Sequence, residues 1–434
     1  MSPVVVDVAD VPSADSLDAL ARVLEMIRRG EARTRPELIQ ATGLGRAVVS
    51  QRVDQLTALG LIGEGSLGRS TGGRAPRTLD FRADAGLLLV AELGATGLSA
   101  GLADLSGELL RCQEQPLDIA DGPEECLALV ESLFDELLRT APPNVPVWGI
   151  GIGIPGPVEF ATGHPIAPPI MPGWDSYPVR ERLSARFQVP TWVDNEVNLM
   201  ALGELRAGLA RGVANVIYVK IGTGIGAGIV SGGKLHRGAQ GCAGDIGHVE
   251  ITEGESIVCR CGNTGCLEAL AGGGAISRDG EAAARDGRSS QLAEILQRNG
   301  KIVSADVSDA ARRGDPVSFE LLARAGRLVG EVLATLVNFF NPSLVLLGGG
   351  VTASGDLLLA SVREHVYRRS LPLATRELRL TRSPLDRRAG MTGAAHMVTD
   401  ELFGLSTLPL WIKRGTPSGM PELADASSDY GVAS

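Results

Sequence analysis

Residues 247–268 read GHVEITEGESIVCRCGNTGCLE. His248, Cys259, Cys261 and Cys266 fall in the pattern H-x10-C-x-C-x4-C. Three thiolates and one imidazole complete a tetrahedron around zinc and leave no open position, so the expected ion is structural rather than hydrolytic. The competing reading is a set of free buried cysteines, which suits a polar, glycine-containing loop poorly.

Outward from this loop, the chain is long for one core. Its 434 residues, 44% of them hydrophobic, suit two or three globular domains. Six cysteines in such a length are no disulfide scaffold. Cys112, Cys126 and Cys242 are expected to be core thiols. No apolar run approaches a membrane span, and MSPVVVDVADVPSAD lacks the basic start of a signal peptide, so the expected location is cytoplasmic, with no membrane partner.

The net charge of −10 is unevenly spread. Residues 17–81 carry ten arginines against seven acidic residues, a basic end on an acidic body. Leu17, Leu20, Val23, Leu24 and Ile27 share one helical face that Gly30 ends. Thr34-Arg-Pro-Glu37 opens a second helix as a capping box and Thr42-Gly43 closes it. A third turns Val48, Val49, Val53, Leu56 and Leu59 inward. This is a helix-turn-helix, and Arg46, Ala47, Ser50 and Gln51 are placed to meet the major groove. LIGEGSLGRSTGGRAPRTLDF then alternates as a hairpin wing, with Arg69, Arg74 and Arg77 as phosphate or minor-groove contacts. A protein-docking module with a solvated basic loop is the rival reading. The expected limits are 16–82 for this domain, with residues 1–15 a disordered tail.

From residue 86 the texture changes. GLLLVAELGATGLSAGLADLSGELL, VWGIGIGIPGPV, VANVIYVKIGTGIGAGIVSGGKL and LVNFFNPSLVLLGGGV read as strands that end in glycine loops, where the backbone can approach a ligand. Another strand ends in VDNEVN, whose Asp194, Asn195 and Glu196 stand at the kind of strand tip that faces a cleft in α/β proteins. Residues 271–315 read as helical with a solvated charged face, and 413–434 as a disordered tail.

CRCGNTGCLE, GDIGHVE, IGIPGPV, PGWDSYPVRERL leading to VDNEVN, GTGIGAGIV and LLGGGV together resemble the ROK family of repressors, open reading frames and sugar kinases, from about Leu17 to His396. The N-terminal helix-turn-helix resembles its transcriptional-regulator branch, of the xylose and N-acetylglucosamine repressor type. The resemblance implies an α/β, actin-like ATPase (ribonuclease H-like) fold of two lobes, a sugar-kinase fold preceded by the winged domain. Residues 83–196, completed by about 386–403, would form the first lobe and 197–385 the second, with the zinc loop. It also implies sugar ligands at Asn195, Glu196, Asp245, His248 and Glu268. Carboxylates and amides suit hydroxyl groups, and His248 would serve zinc with one nitrogen and the ligand with the other.

Where the family's kinases place a catalytic aspartate this chain has Glu196, a longer arm that shifts the base position by about an ångström. The first phosphate loop reads Glu92-Leu-Gly94-Ala95-Thr96, in which Ala95 adds a Cβ and Glu92 replaces the acid expected near magnesium. Gly222, Thr223, Gly224, Gly348 and Gly349 remain as possible nucleotide loops. These residues lead to the expectation of a sugar-responsive DNA-binding regulator, a repressor of carbohydrate uptake or catabolism released by sugar. Its partners would be operator DNA, a sugar or sugar phosphate effector and copies of itself in a homodimer or higher homo-oligomer, with structural Zn2+ and no requirement for ATP or Mg2+. The alternative is an active ATP-dependent sugar kinase of the hexokinase or glucokinase kind, alone or in a bifunctional chain.

Overall fold

The computed structural model describes residues 14–67, 77–251, 257–352 and 356–428. Helices α1 (Ala14–Arg28), α2 (Arg35–Thr42) and α3 (Arg46–Ala58) come first, followed by a hairpin of β1 (Ile62–Leu67) and β2 (Arg77–Phe81). Thr34 caps α2 by accepting from the Glu37 amide at 3.4 Å, and Gly43 closes it at φ 71°. The return bond of the expected box goes one residue further back, from the Arg33 amide to Glu37 Oε2 at 2.7 Å. Val23, Leu24, Leu38, Val49, Val53, Leu56, Leu61 and Leu79 pack together and continue into the core of the first lobe. Val48 and Leu59, expected inside, are only half-buried at its margin. The helix reaches back to Ala14, so only residues 1–13 of the expected leading tail lie outside the described residues.

The first lobe contains β3 (Leu87–Leu93), β4 (Gly97–Asp104), β5 (Leu109–Pro116), α4 (Pro123–Arg139) and β6 (Val147–Ile154). The small pair β7 (Val158–Glu159) and β8 (His164–Pro165), α5 (Val179–Phe187) and β9 (Thr191–Asn195) complete its first run. Its sheet has the order β5-β4-β3-β6-β9, antiparallel through the first three and parallel through the last three. Helix α6 (Glu196–Ala207) leads to β10 (Val216–Ile221), β11 (Ile225–Ser231) and β12 (Lys234–His236). Four helices follow: α7 (Leu267–Ala271), α8 (Gly273–Arg285), α9 (Ser290–Asn299) and α10 (Ser304–Arg312). After them come α11 (Pro316–Phe340), β13 (Leu344–Gly348), α12 (Asp356–Arg369), α13 (Pro372–Thr375) and β14 (Arg379–Arg382). The second sheet runs β12-β11-β10-β13-β14 and repeats the order and sense of the first. Two sheets of one topology are the ribonuclease H-like repeat of the actin-like ATPase fold. The carboxyl ends of β3, β9 and β10 open on one cleft, as ligand sites in such sheets do.

Helix α14 (Ala389–Leu402) returns to the first lobe and crosses α6 backbone to backbone. A Cβ at Gly203 would lie 2.1 Å from the Ala389 carbonyl, and one at Gly393 would lie 1.8 Å from that of Leu199, so only glycine permits the crossing. The C-terminal segment corrects the sequence reading. Residues 404–428 pack on the first lobe: α15 (Leu408–Trp411) sets Trp411 edge-on to Trp148 at 5.2 Å, and Leu423 and Ala424 are fully buried. Gly419 donates to the Gln188 carbonyl at 3.0 Å, and Arg180 meets Asp425 at 3.6 Å. A few anchors outweigh the small, polar composition of this segment; residues 429–434 lie outside the described residues.

Two of the three expected core thiols also need correction. Cys126 is buried, but Cys112 lies on the outer strand β5 and Cys242 on a cleft loop, both exposed. Cysteine tends to be buried, but its position on an edge strand or loop decides each case. Helices α8 to α10 are amphipathic as expected, with Ile276, Leu292 and Val307 in the second lobe's core. Among the described residues no helix is long and apolar enough to cross a membrane.

Candidate functional site

The floor of the cleft is built where β9 hands over to α6. Asn195 is the N-cap: its Oδ1 accepts from the amides of Val197 and Asn198 at 2.8 and 3.2 Å. Its Nδ2 donates to the Gly156 carbonyl at 2.9 Å and to Glu196 Oε2 at 3.1 Å. The amide is thus occupied in shaping the floor and orienting Glu196. Glu196, the first helical residue, accepts at its other oxygen from Lys220 Nζ at 3.0 Å. Asp194 is fully buried and ties the floor to the second lobe through Arg237 at 2.8 Å. Arg237 in turn stacks over Phe160, 3.8 Å from the ring centre. Neither Lys220 nor Arg237 was singled out from sequence. The signal for Lys220 was a cation one residue before the end of an otherwise apolar strand, VIYVKI.

The cysteine loop meets the cleft wall at His248. The ligand atoms of His248, Cys259, Cys261 and Cys266 all lie within 4.8 Å of one another. Cys261 and Cys266 place their sulfurs 3.7 Å apart, and Cys259 Sγ lies 3.6 Å from His248 Nδ1. A tetrahedral zinc ion with ordinary bond lengths sets these edges at about 3.8 and about 3.6 Å. The four residues therefore fit a metal of that geometry. With Nδ1 turned to the thiols, the imidazole still lines the cleft. Glu268, in the first turn of α7, accepts from the Ile225 amide at 3.1 Å and lies beneath Gly224, where a Cβ would meet its carboxylate at 2.2 Å. Asp245 is exposed on the cleft loop.

The cleft holds about 780 Å³, and Asn195, Glu196, Asp245, His248 and Glu268 all line it. Gly94, Thr96, Gly222, Thr223, Gly224 and Gly349 line it too. Gly348 does not: a Cβ there would lie 1.9 Å from the Tyr218 hydroxyl, so this glycine serves packing. Glu92 enters from the end of β3, with Oε2 buried and lacking a hydrogen-bond partner among the described residues. Burial pushes its carboxyl up to about 7, with Lys220 opposing and Glu196 adding to the rise. The unfolded carboxyl ionises first, so the folded state loses stability as pH rises from about 4.5 to about 7. Glu92→Gln is expected to match the parent near pH 4.5 and to melt at higher temperature at pH 8. Thermal unfolding across that range checks it, and parallel curves would remove Glu92 as the cause.

On the basic end, Arg46, Ala47 and Gln51 are exposed on the first turns of α3, and Ser50 is half-buried. Arg77 stands at the hairpin and pairs with Glu64 across it at 3.0 Å. Arg69 and Arg74 lie outside the described residues. Arg52 is buried, and Arg28 points inward, so neither belongs to a basic face. Arg28 Nη2 meets Asp400 Oδ1 at 2.9 Å, and Arg206 Nη2 meets Oδ2 of the same carboxylate at 2.6 Å. Arg28 also donates to Thr399 Oγ1 at 3.1 Å and lies over Phe403, itself edge-on to Phe81 of β2. Helix α6 therefore begins at the cleft floor with Glu196 and carries Arg206 in its last turn, one carboxylate away from the first helix of the N-terminal module.

Comparison with known proteins gives four further findings. Residues 89–401 match the model of the ROK family. The chain is 31% identical over 382 residues to a xylose repressor of Caldicellulosiruptor bescii, covering 88% of this chain and 95% of that one. Its structure resembles a ROK family transcriptional regulator, a homologue of the E. coli MLC protein, with a TM-score of 0.75 and 26% identity over 95% of this chain and all of that one. It also resembles a ROK family glucokinase from Streptomyces griseus, solved with glucose and AMPPNP, with a TM-score of 0.63 and 30% identity. That likeness covers 99% of the kinase but only 72% of this chain.

Proposed function

The chain belongs to the ROK family, and from that premise we propose that it is a sugar-responsive DNA-binding transcriptional regulator, a repressor of carbohydrate uptake or catabolism genes released when sugar fills the cleft. The observation that carries this reading is the join between the N-terminal module and α6 through Arg28, Asp400 and Arg206. A ligand that binds two lobe arrangements unequally moves α6 and so shifts the module. Regulators match the chain nearly end to end, and the kinase covers only 72% of it. In this reading Glu196, Asp245, His248 and Glu268 hold sugar hydroxyls, Asn195 orients Glu196, and His248 with the three cysteines holds a structural zinc ion. The protein works in the cytoplasm as a homodimer that sets two α3 helices on the half-sites of an operator.

The test is binding to the DNA upstream of the chain's own gene, followed by fluorescence anisotropy. Arg46→Ala and Gln51→Ala are each expected to weaken it roughly tenfold, the cost of about 1–3 kcal/mol for a lost base contact. Xylose or glucose is expected to release the DNA. Affinity indifferent to Arg46→Ala, Gln51→Ala and salt would sink the reading. The retained loops at Gly94, Thr96 and 222–224 keep a kinase reading alive, in which Glu196 is the catalytic base. Release of ADP with glucose at ordinary kinase rates would establish that activity.

A further inference from the structure

The kinase reading needs a magnesium-bound nucleotide at the mouth between the two glycine loops, and the residues there do not fit one. Three charged side chains from three elements converge: Glu92 from the first sheet, Glu196 from α6 and Lys220 from the second sheet. Lys220 pairs with Gly226 on one side and Gly348 on the other, so no neighbouring side chain crowds its stem on the sheet. That stem runs under the second loop, where a Cβ at Gly222 would lie 3.4 Å from its Cε. Its ammonium lies 3.0 Å from Glu196 Oε1 and is also the cation that acts on Glu92. Both partners of the close pair are shielded from solvent, with 18% and 9% of their side chains exposed.

Two carboxylates converging between phosphate-type loops make an oxygen ligand set for a divalent cation that carries a polyphosphate. Here an ammonium already supplies the positive charge. A magnesium ion on Glu196 would sit a few ångströms from it in a recessed site, where like charges repel strongly. We propose that Lys220 is the resident cation of this cleft, taking the place of nucleotide-bound magnesium and joining the second sheet to the cleft floor through Glu196. It acts as a positioning residue that holds Glu196 still. The proposal rests on the regulator reading for its biological sense but not for its test, which uses the protein without sugar.

Thermal unfolding of the full chain is followed from pH 6 to pH 8.5, with and without millimolar magnesium chloride. The wild type is expected to show no magnesium response. Lys220→Met leaves two carboxylates facing each other, which raises their proton affinity. Its melting temperature is expected to fall below the wild type as pH rises, and magnesium is expected to restore it. Lys220→Arg should keep the wild-type profile. Lys220→Met with Glu92→Gln should lose both the pH slope and the magnesium response. Equal magnesium stabilisation of wild type and Lys220→Met, or an unchanged pH profile in Lys220→Met, would overturn the proposal. If Lys220→Met does not fold, the double variant decides: folding without a magnesium response supports the charge argument, and failure to fold overturns it. Failure here removes the role of Lys220 alone, because the sugar reading is judged by release of DNA.

Discussion

Asp400→Ala is expected to destabilise the chain by about 3 kcal/mol and to uncouple DNA binding from sugar. The carboxylate accepts from Arg28 Nη2 at 2.9 Å and from Arg206 Nε and Nη2 at 3.1 and 2.6 Å. Removing one member of a buried ion group leaves the others charged and unsatisfied, at a cost of about 3–5 kcal/mol. A quarter of the Asp400 side chain still reaches solvent, so the low end applies. Burial raises the Asp400 carboxyl, but Arg206 and Arg28 bring it below the ordinary range. Its stabilisation is therefore present at neutral pH and lost as pH falls through the depressed value. His396, one turn earlier in α14, is pushed down to about 4 by burial, so it too withdraws stability as pH drops from about 6.5. Asp400→Asn keeps the shape and removes the charge, and should lie between. Urea unfolding reads the stability, and operator affinity with and without sugar reads the coupling. In the wild type sugar is expected to lower that affinity, and in Asp400→Ala the ratio should approach one. An unchanged ratio in a folded variant would mean that the signal travels elsewhere.

The helices of the basic end were legible because caps, glycine stops and apolar spacing act over a few residues: Thr34, Gly43, Val49 and Val53 stand where local rules put them. The cysteine loop was legible because ligand spacing is itself local. Long-range partnerships were not. Nothing near Lys220 in sequence names Glu196 or Glu92, and nothing near Arg28 names Asp400, because these pairs exist only once two sheets and α14 have assembled. Arg28 and Arg52 were counted with the basic surface for the same reason, although the fold turns them inward. Asn195 shows a subtler limit. Its type suits a sugar ligand and a helix cap equally, and only the bonds to Val197, Asn198 and Gly156 show that the cap uses both ends of the amide. The C-terminal segment was misread because composition averages over the few residues, Trp411, Leu423 and Ala424, that dock it.

Removal of metal should have the widest effect on the cleft. Purified wild-type chain is expected to carry about one zinc per chain, four ligands serving one ion. Cys266→Ser is expected to lose it, because Cys266 is both a candidate ligand and the residue before α7. Glu268 follows two residues later, and its bond to the Ile225 amide holds the second glycine loop. His248 brings Nδ1 to the thiols while lining the cleft. Without the ion the imidazole loses the contact that fixes its rotamer, and the wall of the site loosens. Such loss of a structural metal is expected to reduce sugar affinity by more than the 10–100-fold typical of an outer-shell change. The N-terminal module shares its core with the first lobe, and the residues around the cysteine loop belong to the separate core of the second, so its affinity for DNA should survive while its response to sugar disappears. Elemental analysis, calorimetry with xylose and glucose, and operator binding give the three readings. Full sugar affinity in metal-free Cys266→Ser would separate the cysteine loop from the ligand site and leave Glu196 and Asp245 to hold the sugar alone.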